Sequence, residues 1–178
     1  MTIEDVGKVC QVGNNVEGVK VGDIVFVEPT KAHKAGKIEA DVLGTFGEYI
    51  VYQDANLDYN IFVLDPNIDL DLAPLVEPLS VGKQGVLCTN PQPTDNVNVS
   101  VNNDELPING GIFMSEAKII GSAGYTTETI KEVIDHLENN RTAIGEIITA
   151  KFAASEIETA MVQASDKQYK NIKVLLEF

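Results

Sequence analysis

Val16-Glu17-Gly18-Val19-Lys20-Val21-Gly22-Asp23-Ile24-Val25-Phe26-Val27-Glu28-Pro29 reads as a turn that feeds a strand. Gly22-Asp23 supplies the turn chemistry, four apolar residues follow, and Pro29, which has no N–H for a ladder, ends the run. The same unit recurs on both sides. Val6-Gly7-Lys8-Val9-Cys10-Gln11-Val12 runs into the turn Gly13-Asn14-Asn15, and Glu48-Tyr49-Ile50-Val51-Tyr52 and Ile61-Phe62-Val63-Leu64 flank Asp58-Tyr59-Asn60. Many short strands separated by turn signals predict a small barrel up to about residue 64.

Beyond that block the pattern changes. Thr30 to Leu43, with Lys31, Lys34 and Lys37 among alanines, reads as a solvated loop or helical turn. Leu72 to Val81 reads as helical despite Pro74 and Pro78, ending at the turn Gly82-Lys83-Gln84-Gly85. Val86-Leu87-Cys88 reads as a short buried strand. Val97, Val99 and Val101 alternate with Asn98 and Ser100, as in a half-buried strand at an edge or interface. Ile130, Val133, Ile134 and Leu137 fall at helical spacing, with Thr126 or Thr127 to cap the first turn and Asn139-Asn140 to stop it. Ser155-Glu156-Ile157-Glu158 has capping-box spacing ahead of a second helix, whose expected buried stripe is Ile157, Ala160, Met161 and Ala164. Ile172, Val174 and Leu176 finish as a strand. The fold class is therefore α+β.

Charge excludes several functions. Thirteen Lys and Arg against 27 Asp and Glu leave a formal net charge of −14 over 178 residues, which repels nucleic acid and anionic membranes. The longest apolar runs fall far short of the roughly 20 residues that span a bilayer. Met1-Thr2-Ile3-Glu4-Asp5 lacks the basic-then-apolar pattern of a secretory signal, so the expected compartment is the cytoplasm. Cys10 and Cys88 are too few for a disulfide framework or a four-thiolate zinc site, and their strand-like settings predict buried free thiols.

Isolated motifs carry little. Asp54-Ala55-Asn56-Leu57-Asp58 opens like a calcium loop, but Tyr59 stands where glycine is needed and Asp65 where a bidentate glutamate belongs. A turn with solvated carboxylates accounts for it. Gly82-Lys83-Gln84-Gly85 matches an RNA-clamping loop on a chain of the wrong charge. Gly121-Ser122-Ala123-Gly124 lacks the register of a nucleophile elbow. His33 and His136 read as surface residues, with no local metal spacing between them and the two cysteines.

One ordered series resembles a known family. Glu4-x-x-Gly7-x-Val9-x-x-Val12-Gly13, then Val16 to Val25, then Glu28-Pro29 resembles the GroES-like catalytic barrel of the zinc-dependent medium-chain dehydrogenases. Gly44-Thr45-Phe46-Gly47-Glu48-Tyr49 is similar to the family's G-x-F-[AG]-E-Y segment. Leu75-Val76-Glu77-Pro78-Leu79-Ser80-Val81 is similar to the V-E-P-L segment of the sorbitol, butanediol and threonine dehydrogenase branch. Ile119-Ile120-Gly121-Ser122-x-x-Tyr125-Thr126, Ile148-Thr149 and Ile172-Lys173-Val174-Leu175-Leu176 resemble the C-terminal return to the catalytic domain.

The resemblance implies a GroES-like barrel over residues 1–81, remnant strands of a Rossmann nucleotide-binding domain over 82–118, and a C-terminal, helix-rich part over 119–178 that packs back on the barrel. It implies an ancestral NAD(P)-linked, zinc-assisted oxidation of a secondary alcohol or polyol. Of the family's catalytic zinc ligands only Glu77 and Glu4 carry over. The Cys falls before Met1, Thr2-Ile3-Glu4 stands in place of G-H-E, and Thr30 to Leu43 lacks the four cysteines of the structural-zinc lobe. Two carboxylates alone make a poor tetrahedral zinc site. No glycine-rich turn for a pyrophosphate follows Val81, and Ala123-Gly124 is smaller than the side chains that often stand near the nicotinamide in sorbitol dehydrogenase relatives. The implied function is a trimmed catalytic domain that does not work as this chain alone, with no cofactor expected in it. The alternatives are a scaffold protein that forms a homodimer through the Asn96–Asn102 strand, or one half of a split oxidoreductase.

Overall fold

The computed structural model describes residues 5–32, 46–96 and 118–178. Strands β1 (Asp5–Lys8), β2 (Ile24–Val27) and β3 (Ile61–Val63) form an antiparallel sheet in chain order. Val6 stands opposite Phe26, and Phe26 opposite Phe62. The period of two therefore puts Phe26 and Phe62 on one face, ring centroids 6.2 Å apart, and Val25, Val27 and Ile61 on the other. Among the described residues the sheet is open, with β1 and β3 as its edges.

A short helix α1 (Pro29–Ala32) follows β2. A single turn at Ala73–Leu75 leads into α2 (Val76–Thr89), and α3 (Thr127–Asn139) packs across it. The main core lies between the phenylalanine face of the sheet and these two helices. Phe26, Phe62, Leu75, Val76, Ile130, Val133 and Leu137 fill it, closed by Leu64, Ile68 and Leu72. The sequence pattern explains α3 directly: Ile130, Val133 and Leu137 are its buried stripe, and the Thr126 hydroxyl accepts from the Thr129 N–H at 3.1 Å. His136 is exposed, as its place on the polar side predicts.

A short helix α4 (Arg141–Gly145) leads into β4 (Ile148–Ala153), which a crossover through α5 (Ile157–Ser165) joins to β5 (Lys173–Glu177). Strands β4 and β5 pair in parallel, so residues 148–177 form a β-α-β unit.

Several expectations fail for local reasons. Gly82-Lys83-Gln84-Gly85 is no turn, and Val86-Leu87-Cys88 is no buried strand; α2 runs through both and stops only where Asn90 turns left-handed at φ 46°. Two glycines cost a helix interior about 1 kcal/mol each. The contact with α3 offsets that: Gly85 is buried there, Lys83 pairs with Glu132 at 2.5 Å, and the Thr129 hydroxyl donates to Gln84 Oε1 at 3.1 Å. Val86 and Leu87 face outward on the last turn. Residues 48–52 are not a strand, and Tyr49 and Val51 are exposed for want of a ladder partner among the described residues. Both cysteines are exposed, Cys10 because β1 has already ended and Cys88 because its turn of α2 faces outward. In α5 only Ala160 is buried, with Ile157 half-buried and Met161 and Ala164 exposed. The cap is shifted as well: Glu156 accepts from the Ala153 N–H at 3.3 Å, two residues before Ser155. In β5 the buried residue is Leu175, out of phase with the expected Val174 and Leu176, both half-buried.

Candidate functional site

Three elements deliver three polar side chains to one place inside the molecule. Glu28 follows the last residue of β2 and is fully buried. Glu77 is the second residue of α2 and only 7% exposed. Tyr125 precedes Thr126, the cap of α3, so the fixed entry of that helix also fixes the phenol. The Tyr125 hydroxyl donates to Glu28 Oε1 at 3.3 Å, and its hydrogen-bonding neighbourhood also includes the Glu77 carboxylate. From the other side, the Tyr52 hydroxyl donates to the Glu28 carbonyl at 2.9 Å.

Electrostatics follows from this geometry. Burial first, then the charges of Glu77 and Glu28, and finally the hydrogen bonds to both push the Tyr125 phenol far above the usual tyrosine range. Tyr52 is pushed up in the same direction by burial, by Glu28 and by Tyr59. Both phenols are therefore neutral donors around the carboxylates. Such a cluster can accept a proton on a carboxylate, and it can hold a neutral hydroxyl in a fixed orientation.

The floor of the site is also polar and satisfied. The buried Ser80 hydroxyl donates to the Val76 carbonyl at 2.7 Å. Lys31 reaches from α1 to the Tyr59 carbonyl and the Thr127 hydroxyl, at 2.6 and 2.7 Å, and lies 4.6 Å from the centre of the Tyr59 ring. It ties the β2 end of the site to the start of α3.

Of the two ligand positions singled out in the sequence, Glu77 lies in this cluster, and Glu4 falls outside the described residues, as do His33 and all but the first residue of the Asn96–Asn102 strand. Glu28 and Tyr125 were not singled out as site residues. For Glu28 the signal was present: a carboxylate that directly continues the apolar run Ile24–Val27 has to be buried and partnered. Tyr125 stands in the Ile119–Thr126 string that resembles the family, but nothing in that string marks its phenol as a site group.

Zinc of the type the resemblance implies takes thiolate or imidazole donors alongside carboxylate. Here the carboxylates meet protonated phenols, while Cys10, Cys88 and His136 are exposed. Among the described residues no group of three or more His, Cys, Asp or Glu side chains could hold a metal ion. Among the described residues the donors do not fit tetrahedral zinc. The Asp54–Asn60 loop is a turn held by Asn60, whose side chain accepts from the Asn56 N–H at 2.7 Å and donates to the Asp54 carbonyl at 3.1 Å.

The β4-α5-β5 unit is a single parallel β-α-β, and its first turn, Ala154-Ser155-Glu156, holds no glycine. Glu156 and Glu158 stand where a pyrophosphate would approach, and their charge opposes it.

The chain is 33% identical over 91 residues to the L-threonine 3-dehydrogenase of Caldanaerobacter subterraneus subsp. tengcongensis, a match that takes in 43% of this chain. Part of this chain is similar to a dehydrogenase. The match spans about a quarter of the length of that relative, 25%. No family model and no solved structure matches. No helix among the described residues is long and apolar enough to cross a membrane.

Proposed function

We infer that this chain carries the substrate side of a medium-chain dehydrogenase and leaves hydride acceptance to a separate nucleotide-binding unit. The observation that carries this reading is Glu77. It stands in Val76-Glu77-Pro78-Leu79, is buried, and meets Tyr125, which also bonds Glu28, within a chain partly similar to a threonine dehydrogenase. The substrate class is a small secondary alcohol or polyol, with L-threonine the first to try because the relative's name points to it.

Oxidising such an alcohol breaks an O–H and a C–H bond and forms a carbonyl. The proton goes to a carboxylate, for which Glu77 is the nearly buried group at hand. Tyr125, held neutral, keeps that carboxylate in place and offers a hydrogen bond to oxygen. A nicotinamide held by the separate unit would supply the hydride acceptor, since the acidic first turn of α5 provides no phosphate cradle. No step runs through zinc, because the donors do not fit it.

Metal content by plasma mass spectrometry after chelator-free purification, with an NADH fluorescence titration and turnover assays on L-threonine and 2,3-butanediol, tests this directly. The expected result is substoichiometric zinc, no saturable NADH binding and no turnover by the chain alone. Stoichiometric zinc with saturable NADH binding would overturn it.

A further inference from the structure

Among the described residues, few ties join the β-α-β unit to the rest of the molecule. Its elements pack chiefly on one another, β4 on β5 with α5 against both. Its buried residues, Ala160 and Leu175, belong to no part of the main core. Towards that core the unit offers partly buried Ile148, next to Ile147 at its root, and, among the described residues, an ion pair from Lys151 in β4 to Asp71 in the loop before α2. Lys151 also lies 3.7 Å from Glu177 on β5, so the latch strand and its neighbour share the charge. The root is a tight turn: α4 ends at Gly145, and the Ile147 N–H donates to the Ile144 carbonyl at 3.1 Å. Ile144 itself is buried in the core, so one side of this turn is fixed.

A cleft of about 870 Å³ separates the unit from the sheet. Val25 and Ile61, on the face of the sheet away from the core, line one side, and Met161, Ala164 and Leu176 line the other. Its volume falls within the roughly 300–1,000 Å³ of small-molecule sites.

We propose that residues 148–178 swing as one body about the Gly145–Ile147 turn, widening and narrowing this cleft, with the Lys151–Asp71 pair as the latch. A few residues at an element's end that absorb the rotation, beside a body with its own internal packing, are the parts of a hinge. The latch is weak by construction. The Lys151 and Asp71 side chains are 41% and 37% exposed, and pairs so exposed shift an equilibrium by up to about fivefold. The hydrogen bond to Asp71 raises the pKa of the Lys151 amine, so salt, rather than loss of that charge, is what loosens the latch.

Thiol labelling of the full chain reads the swing, in a background with Cys10 and Cys88 replaced by Ser. Val25→Cys places a probe in the cleft wall, and Val133→Cys places one in the main core, where only global unfolding exposes it. The cleft thiol should react faster than the core thiol. Its rate should rise by about two- to fivefold in Lys151→Met and at high salt, and return in Lys151→Arg, while the core thiol stays unchanged. Equal rates at the two positions that move together, or a cleft rate indifferent to Lys151→Met, would overturn the proposal.

Discussion

The two halves of this molecule use burial in opposite ways. Around the three-stranded sheet, α2 and α3 seal a continuous apolar core and draw two carboxylates inside it, each answered by a phenol. Among the described side chains of the β-α-β unit only Ala160 and Leu175 are buried, its helix leaves Met161 and Val162 more than half exposed, and Glu156, Glu158 and Glu177 stay at the surface. The first half can position a proton because it excludes water. The second can move because it does not. A buried carboxylate site needs a rigid surround, and here the rigid half is the one that has it.

The largest break in that contrast comes from truncating each half's own anchor. Leu137→Ala, in the main core, should cost about 3 kcal/mol and lower the midpoint of the whole transition. Leu175→Ala should cost less, about 2 kcal/mol, and leave the α3 signal in place while the C-terminal unit loosens. Urea unfolding followed by circular dichroism, with limited proteolysis of residues 146–178, separates the two. Equal losses in one shared transition would show that the halves are not distinct.

A smaller effect sharpens the site. Tyr125→Phe keeps the ring and removes the hydroxyl that meets Glu28 and Glu77, taking one donor away from buried acceptors. That should destabilise the fold by about 1–2 kcal/mol, more than Tyr49→Phe at an exposed ring. The smallest expected effect is local: Thr126→Ala removes the cap that fixes Tyr125's position and should cost about 1 kcal/mol, with Thr126→Ser restoring most of it. Chemical denaturation of both variants checks the order.

What the sequence discloses follows the range of the interactions. The capped start and Asn-rich stop of α3 are legible because a threonine hydroxyl, a nearby N–H and an i, i+3, i+7 stripe all lie within a few turns. β2 and β3 are legible for the same reason, as short apolar runs between turns. The second half of α2 is not: a Gly-Lys-Gln-Gly string locally prefers a turn, and only its contact with α3, some forty residues on, makes it helical. The phase of β5 is not legible, because the face that its parallel pairing with β4 buries is set by the partner strand, far off in sequence. In the site, Glu77 is legible through its Val-Glu-Pro-Leu string. Tyr125 becomes meaningful only when β2, α2 and α3 meet, which no window of sequence displays.

The most direct test of the half-buried tyrosine that meets two buried carboxylates is an alkaline absorbance titration of the tyrosines, with secondary structure followed in parallel. The folded-state pKa values of Tyr125 and Tyr52 lie above the ordinary value near 10.0, so the folded chain binds more protons than the unfolded one above that pH. Their contribution to stability is fully present below about pH 10 and is lost as the pH rises beyond it. The account predicts that the last two phenolates appear only together with the loss of helical signal, and that Tyr125→Phe removes one of them. Ionisation of all five tyrosines near pH 10 in a chain that keeps its helical signal would contradict it.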